Sequence, residues 1–172
     1  MFNNFKADIG RYTKLEKSIY IFFEQGLWAI AVYRFGREVR NSRIPVISWL
    51  LKSIAFLLFK FIEIMTGISL PASAQIGQGF YVGHFGGIVL HSDVKIGENC
   101  SIGPGVVIGT RGGGRLGAPV IGDNVYIGVG AKVLGRINIG NNVKIGANAV
   151  VLEDVPHGAT VGGIPAKILK LK

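Results

Sequence analysis

From Ile76 onward the chain keeps a six-residue pattern of apolar and small positions. An aliphatic residue recurs at Ile76, Val82 and Ile88, then at Ile96, Ile102 and Ile108, then at Ile121, Ile127, Val133, Ile139, Ile145 and Val151. Glycine follows most of them, as Gly77, Gly83, Gly97, Gly103, Gly109, Gly122, Gly128, Gly140 and Gly146. A second small or apolar residue comes four places on, at Cys100, Val106, Val125, Ala131, Ile137, Val143, Ala149 and Val155. A period of six fits neither an α-helix nor a long alternating strand. It predicts a solenoid of short strands joined by tight corners, with the aliphatic residues pointing inward and stacking from coil to coil at about 4.8 Å. One coil cannot bury its inner face alone, so several must stack.

The pattern slips twice. Two extra residues fall between Ile88 and Ile96, a small adjustment placed around His91 to Asp93. A larger interruption, Thr110 to Pro119, separates Ile108 from Ile121 and is too rich in glycine to pack as a strand. It is expected to leave the solenoid as an extended loop, the kind of element that carries function on a rigid scaffold.

Residues 1–68 lack the six-residue pattern and read as helical. Phe22 to Arg43 has apolar residues at helical spacing, with Arg34, Arg37 and Arg40 along one side. Pro45 is expected to break it, and a second helix follows from about Val46 to Met65. Lys52, Lys60 and Glu63 fall on one side of that second helix, within about 80° at 100° per residue, leaving a wide apolar face. These charges interrupt the apolar run that a membrane-spanning helix needs. The face is expected to pack on the solenoid or a neighbouring subunit, or to rest on a membrane surface. The expected class is therefore mainly β, a parallel β-helix with an N-terminal α-helical segment. Its parts are residues 1–68, the β-helix over 69–160 with its loop at 110–119, and a C-terminal extension over 161–172.

Composition narrows the chemistry. The 26 glycines among 172 residues exceed the usual share of about 7%, and the repeat accounts for many of them. Cys100 is the sole cysteine and sits at an inward position, so it reads as a small core residue without a disulfide. With 3 histidines, no cysteine pair and no clustered carboxylates, no metal site is expected. The net charge of +9 is spread along the chain without an aromatic and basic nucleic-acid module, and suits an anionic small molecule such as a coenzyme bearing phosphates. The first residues lack the pattern of a secretory leader, so a cytoplasmic location is expected, with any membrane contact peripheral and at the inner face.

Three stretches, Ile76 to Val89, Ile121 to Gly135 and Val161 to Lys167, resemble the hexapeptide-repeat acyltransferases, and within them the serine acetyltransferase-like branch. The resemblance is strongest from Gly67 to Lys170. It implies a left-handed coil, a homotrimer with active sites between neighbouring prisms, and acetyl-CoA as donor. His84 stands where the family keeps its catalytic histidine, and an imidazole with its ordinary pKa near 6.5 can act as a general base at neutral pH. His91, in the small slip, and His157, at a late turn, are weaker candidates. For the coenzyme the resemblance implies Gly109, Thr110, Val129, Ala131 and Ala147 along a groove, with Lys167 toward its phosphates. For the acceptor it points to Ser69, Gly83 and Phe85, and to Arg111 and Arg115 in the loop.

The departures carry weight. The family places an aspartate immediately before the histidine, where this chain has Gly83, and another upstream, where it has Ser69. It places an arginine and a histidine before the loop proline, where Gly117 and Ala118 stand here. These differences, and the short helical head, direct the expectation to an acetyl-CoA-dependent O-acetyltransferase acting on a saccharide hydroxyl, close to the exopolysaccharide and capsule enzymes. The alternatives are a serine O-acetyltransferase of cysteine biosynthesis and a non-catalytic β-helix assembly module.

Overall fold

The structure, a computed structural model, describes residues 2–16, 19–41, 45–113 and 116–171. Three helices come first: α1 (Phe2–Glu16), α2 (Gln25–Asn41) and α3 (Pro45–Thr66), with a 3-10 turn at Ile19–Phe23 before α2. The sequence-based boundaries for α2 and α3 hold to within three residues at each end, except that the turn takes the first residues assigned to α2. Ser42 to Ile44, which lead into the break expected at Pro45, lie outside the described residues.

Short strands then wind into three parallel faces. The first stacks β1 (Ile68–Ser69), β4 (Ile88–Leu90), β7 (Val107–Gly109), β10 (Lys132–Leu134) and β13 (Val150–Val151). The second stacks β2 (Gln75–Ile76), β5 (Lys95–Ile96), β8 (Val120–Ile121) and β11 (Asn138–Ile139). The third stacks β3 (Tyr81–Val82), β6 (Ser101–Ile102), β9 (Tyr126–Ile127), β12 (Lys144–Ile145) and β14 (Thr160–Gly162), and β15 (Lys167–Lys170) turns back antiparallel against β14. Ile102, Ile127 and Ile145 stack inward and are buried, as are Ile108 and Val133 on the first face. Burying each such side chain contributes roughly 1.5–3 kcal/mol relative to leaving it in water. Asn99, Asn124, Asn142 and Asn148 turn four corners with φ between 56° and 59°, a region where asparagine is among the few residues at ease.

The register corrects one expectation. Leu90, not Ile88, pairs with Ile108, while Ile88 pairs with Ile68. Val82 and Val89 pair with Ile102 and Val107, so the extra residues fall in the corner Gly83–Gly87 and not around His91. The corner at His91 is regular, and the enlarged one is the corner that carries His84. The solenoid also runs past residue 160, because Val161 pairs with Ile145.

Cys100 lies inside the prism as expected. Burial pushes its thiol up to about 11. The stability tied to the protonated thiol is therefore complete below the ordinary thiol range and is lost as pH rises toward that value.

The helices close the open edge of the first coil. Strands β2 and β3 have no strand before them in their sheets, so their outer N–H and C=O groups need other partners. Tyr33 on α2 donates its hydroxyl to Ala74 O at 2.9 Å and accepts from Ile76 N–H at 3.0 Å. Arg34 donates to Ile76 O and Gly77 O, both at 2.6 Å, and pairs through Nε with Asp8 Oδ2 of α1 at 2.9 Å. Asp8 in turn accepts from Phe80 N–H at 2.9 Å. Tyr12 donates to Val82 O at 2.9 Å and accepts from Val82 N–H at 3.1 Å. Tyr12, Tyr33, Arg34 and Asp8 are all buried, and burial raises the Tyr33 phenol above its usual range. Arg37 donates to Ala72 O and Ser73 O. The arginine row thus faces the solenoid at two of its three positions, and Arg40 is exposed.

Helix α3 packs on α2 with one side and presents Trp49, Leu50, Phe56, Leu57, Phe61, Ile64 and Met65 on the other. Among the described residues no helix is long and apolar enough to cross a membrane.

Asp8→Ala should leave the Arg34 charge buried without its carboxylate and Phe80 N–H without an acceptor, at a cost of about 3–5 kcal/mol. Urea denaturation of the two proteins checks this; an unchanged midpoint would show that the pair does not hold the cap.

Candidate active site

His84 occupies the corner between β3 and β4, whose ends are pinned. Gly83 N–H donates to Ile102 O at 3.1 Å on one side, and Gly86 N–H donates to Thr66 O at 2.9 Å on the other. Thr66, at the end of α3, accepts from Ile68 N–H through its hydroxyl at 3.2 Å and donates to Ile62 O at 2.7 Å. The next residue, Gly67, has φ of 65° and lies so close to Gly86 and Gly87 that a Cβ would stand 3.2 Å from Gly87 N. The enlarged corner therefore rests on the end of α3. His84 and Phe85 are exposed on it, and no hydrogen bond or ion pair joins His84 to another described residue.

The pairing of Val82, Ile102, Ile127 and Ile145 puts His84, Pro104, Val129 and Ala147 on one edge of the prism. The backbones there are in close contact: a Cβ at Gly103 would lie 2.9 Å from Val129 N, and one at Gly128 would lie 2.7 Å from Ala147 N. Val129 and Ala147 are exposed on this edge, and Lys167, opposite Gly162, is exposed at its far end. Ser69 is in β1 beside Val89, one strand away from the corner. The Glu63 carboxylate is held below its usual range by hydrogen bonding to Lys60 and then to Ser69.

Ala131 does not belong on this edge. It is fully buried, its N–H donates to Gly128 O and its C=O accepts from Val107 N–H. Its side chain faces the core, unlike those of Val129 and Ala147, which are exposed.

Gly109, Thr110 and Arg111 lie on a different edge, at the other end of the first face. Gly109 packs beside His91, whose Cβ would be 3.5 Å from a Cβ at Gly109. His91 Nδ1 accepts from Asp93 N–H at 3.2 Å. The loop runs back across Gly135 and Arg136: a Cβ at Gly135 would stand 3.5 Å from Arg111 Cβ, and one at Gly117 would stand 2.7 Å from Arg136 Cβ. Leu116 is exposed at 87% and Arg111 is exposed too; Arg115 lies outside the described residues. Pro104 on the first edge and Thr110 on the second are six residues of extended chain apart, on the order of 15–20 Å. One chain thus brings His84, Phe85 and Ser69 together at the head of an edge that runs past Val129 and Ala147 to Lys167, and holds the loop residues on a different edge. His157 is exposed at a turn over Gly140 on the remaining edge. A cleft of about 290 Å³ between α2, α3 and residues 70–73 is lined by none of the candidate residues.

Two contributors escaped the sequence reading. Lys132 folds its ammonium onto Gly105 O, and Gly105 N–H donates to Gly86 O at 2.9 Å, placing a cation one coil from the His84 corner. Tyr12 grips Val82 directly upstream of the corner. Asp8 and Tyr12 are one helical turn apart on α1, and two polar residues on the packed side of a helix were the available signal. Among the described residues no group of three or more histidine, cysteine, aspartate or glutamate side chains is placed to hold a metal.

The model of the family described as bacterial transferase hexapeptide (six repeats) matches residues 73–110 and 118–153. The fold is that of a left-handed β-helix transferase. A serine acetyltransferase of Synechococcus elongatus is 39% identical over 147 residues, which cover 84% of this chain and 57% of that protein. A serine acetyltransferase of Helicobacter pylori J99 is 38% identical over 147 residues, covering 84% of this chain and 81% of that one. The chain belongs to the serine acetyltransferase family. A crystal structure of serine acetyltransferase from Brucella abortus in complex with coenzyme A superposes with a TM-score of 0.86 at 28% identity, covering 99% of this chain and 68% of that one. The chain thus spans little more than half the length of some of its relatives, and over that span it includes the helical head as well as the β-helix. These relatives overturn the expected saccharide acceptor and the closer likeness to sugar O-acetyltransferases: their names point to the alternative reading, serine.

Proposed function

We propose that this chain is an acetyl-CoA-dependent serine O-acetyltransferase with His84 as its general base. The observation that carries the reading is His84 itself. Within a family of acetyltransferases it stands exposed on an enlarged, glycine-flanked corner at the head of an edge lined by Val129, Ala147 and Lys167. The imidazole takes the proton of the serine hydroxyl as its oxygen attacks the thioester carbonyl. When the tetrahedral intermediate collapses, the C–S bond breaks and the imidazolium returns the proton to the departing thiolate, giving the acetyl ester and free coenzyme A. Small residues along the edge leave the backbone open to the pantetheine arm, and Lys167 supplies charge for phosphate.

The active site is composite in this reading. Gly109, Thr110 and Arg111 share a chain with His84 but stand on another edge. A neighbouring copy in a homotrimer presents its loop edge to the His84 edge, closing one site between each pair of subunits.

His84→Ala should lower kcat by about 10²–10⁴ with melting unchanged, read by thiol release from acetyl-CoA in the presence of L-serine. Full turnover by that variant would remove His84 from the chemistry. Co-expression in equal amounts of His84→Ala and a variant whose 110–119 loop is cut to a tight turn tests the composite site. Each is inactive alone, and random trimers should recover about a quarter of wild-type activity because each site draws its two halves from different subunits. No recovery would place both halves in one chain.

Gly83 bears on how the base is oriented. A Cβ there meets only Tyr81 Cε1 at 3.5 Å and Ile102 O at 3.8 Å, both ordinary contacts, and the backbone is not in the left-handed region. Gly83→Asp, restoring the carboxylate that the resemblance expects before the histidine, should fold normally and raise kcat with serine about threefold to tenfold. A fall in kcat would mean that the glycine is needed for substrate approach.

A further inference from the structure

The Val82–Gly83 peptide is gripped from opposite sides. Its C=O accepts from the Tyr12 hydroxyl at 2.9 Å, and its N–H donates to Ile102 O at 3.1 Å. Gly83 follows, and a glycine by itself leaves the next residue wide conformational freedom. The direction in which the chain enters the His84 corner is therefore set by how firmly this one peptide is held. On the β6 side the grip is an ordinary ladder bond. On the outer side β3 has no preceding strand, and the Tyr12 phenol takes its place by bonding both Val82 N–H and Val82 O.

The phenol is itself confined. Tyr12 is fully buried, and its ring lies 4.6 Å from the Tyr81 ring at an interplanar angle of 52°. Gly26 of α2 closes over the contact, since a Cβ there would fall 2.6 Å from both the Tyr12 hydroxyl and Val82 O. Two helices thus converge on one backbone unit immediately upstream of the base. We infer that Tyr12, kept in place by Gly26, is a positioning residue that orients the His84 corner through the Val82–Gly83 peptide. The inference rests on His84 being the base.

The same edge supplies an internal control. Tyr33 likewise donates to one carbonyl and accepts from one amide, at Ala74 O and Ile76 N–H, but at the start of β2 and away from the corner. A hydroxyl that matters only for stability should be equivalent at the two sites. One that positions the base should be unequal.

The experiment compares Tyr12→Phe, Tyr33→Phe and His84→Ala in melting, in serine-dependent thiol release, and in the imidazole ring signals of the 3 histidines by NMR, assigned by single His→Gln variants. Tyr12→Phe should lower kcat about tenfold with the KM for acetyl-CoA unchanged, and should move the ring signal of His84 but not those of His91 and His157. Tyr33→Phe should melt earlier yet keep kcat and the His84 signal. If Tyr12→Phe does not fold, Gly26→Ala, whose Cβ would press on both the phenol and Val82 O, disturbs the same contact and is held to the same outcome. Equal kcat and an unmoved His84 signal in the Tyr12 and Tyr33 variants, with His84→Ala inactive, would overturn the positioning role and leave the base intact. Turnover by His84→Ala would instead sink the reading on which the inference rests.

Discussion

The rest of the structure depends on how the first coil's open edge is satisfied. A β-helix generates its own hydrogen-bond partners everywhere except at its ends, where a rung of N–H and C=O groups has no next strand. Here two tyrosines, an arginine and an aspartate replace that missing strand, and each contributes from a helix. The helical head thereby acts as a coil made of side chains. Because leaving such groups buried and unpaired costs about 1–3 kcal/mol each, head and solenoid are one folding problem.

This arrangement puts the proposed base beside the cap. The His84 corner is the first of its edge, so the rung beneath it is the one the helices complete, and its far side rests on Thr66 and Gly67 at the end of α3. Later corners of the edge, at Pro104, Val129 and Ala147, are shorter and stack backbone on backbone. A deviation in an otherwise regular ladder thus gives the exposed His84 its space, while the regular coils give the smooth wall beside it.

Much of this was legible in the sequence because the signals were periodic. The inward aliphatic positions, the loop at 110–119 and the two long helices follow directly from spacing. The phase of Ile88 did not, because in a strand where Ile88 and Leu90 both point inward either residue can continue the count. Choosing Ile88 moved the extra residues from the His84 corner to His91. Ala131 was misplaced for a related reason: the same position that faces the core in the repeat was also aligned with a ligand groove, and burial decides between them. The cap was illegible, since Asp8 and Tyr12 find their partners some 70 residues away. The acceptor was misread from missing side chains at Gly83, Ser69, Gly117 and Ala118. Absences of that kind show that a site is built differently, and they carry no information about what it binds.

At the other end β15 folds back antiparallel on β14, covering the last rung of the third face. The two ends are therefore finished by devices from outside the stack, helices at one and a returning strand at the other. The coils stacked between these stops extend the wall that carries Val129 and Ala147 in steps of one strand spacing. The length of the wall is a quantised property of the chain, set by whole repeats, whereas the His84 corner is fixed by its distance of one rung from the helices.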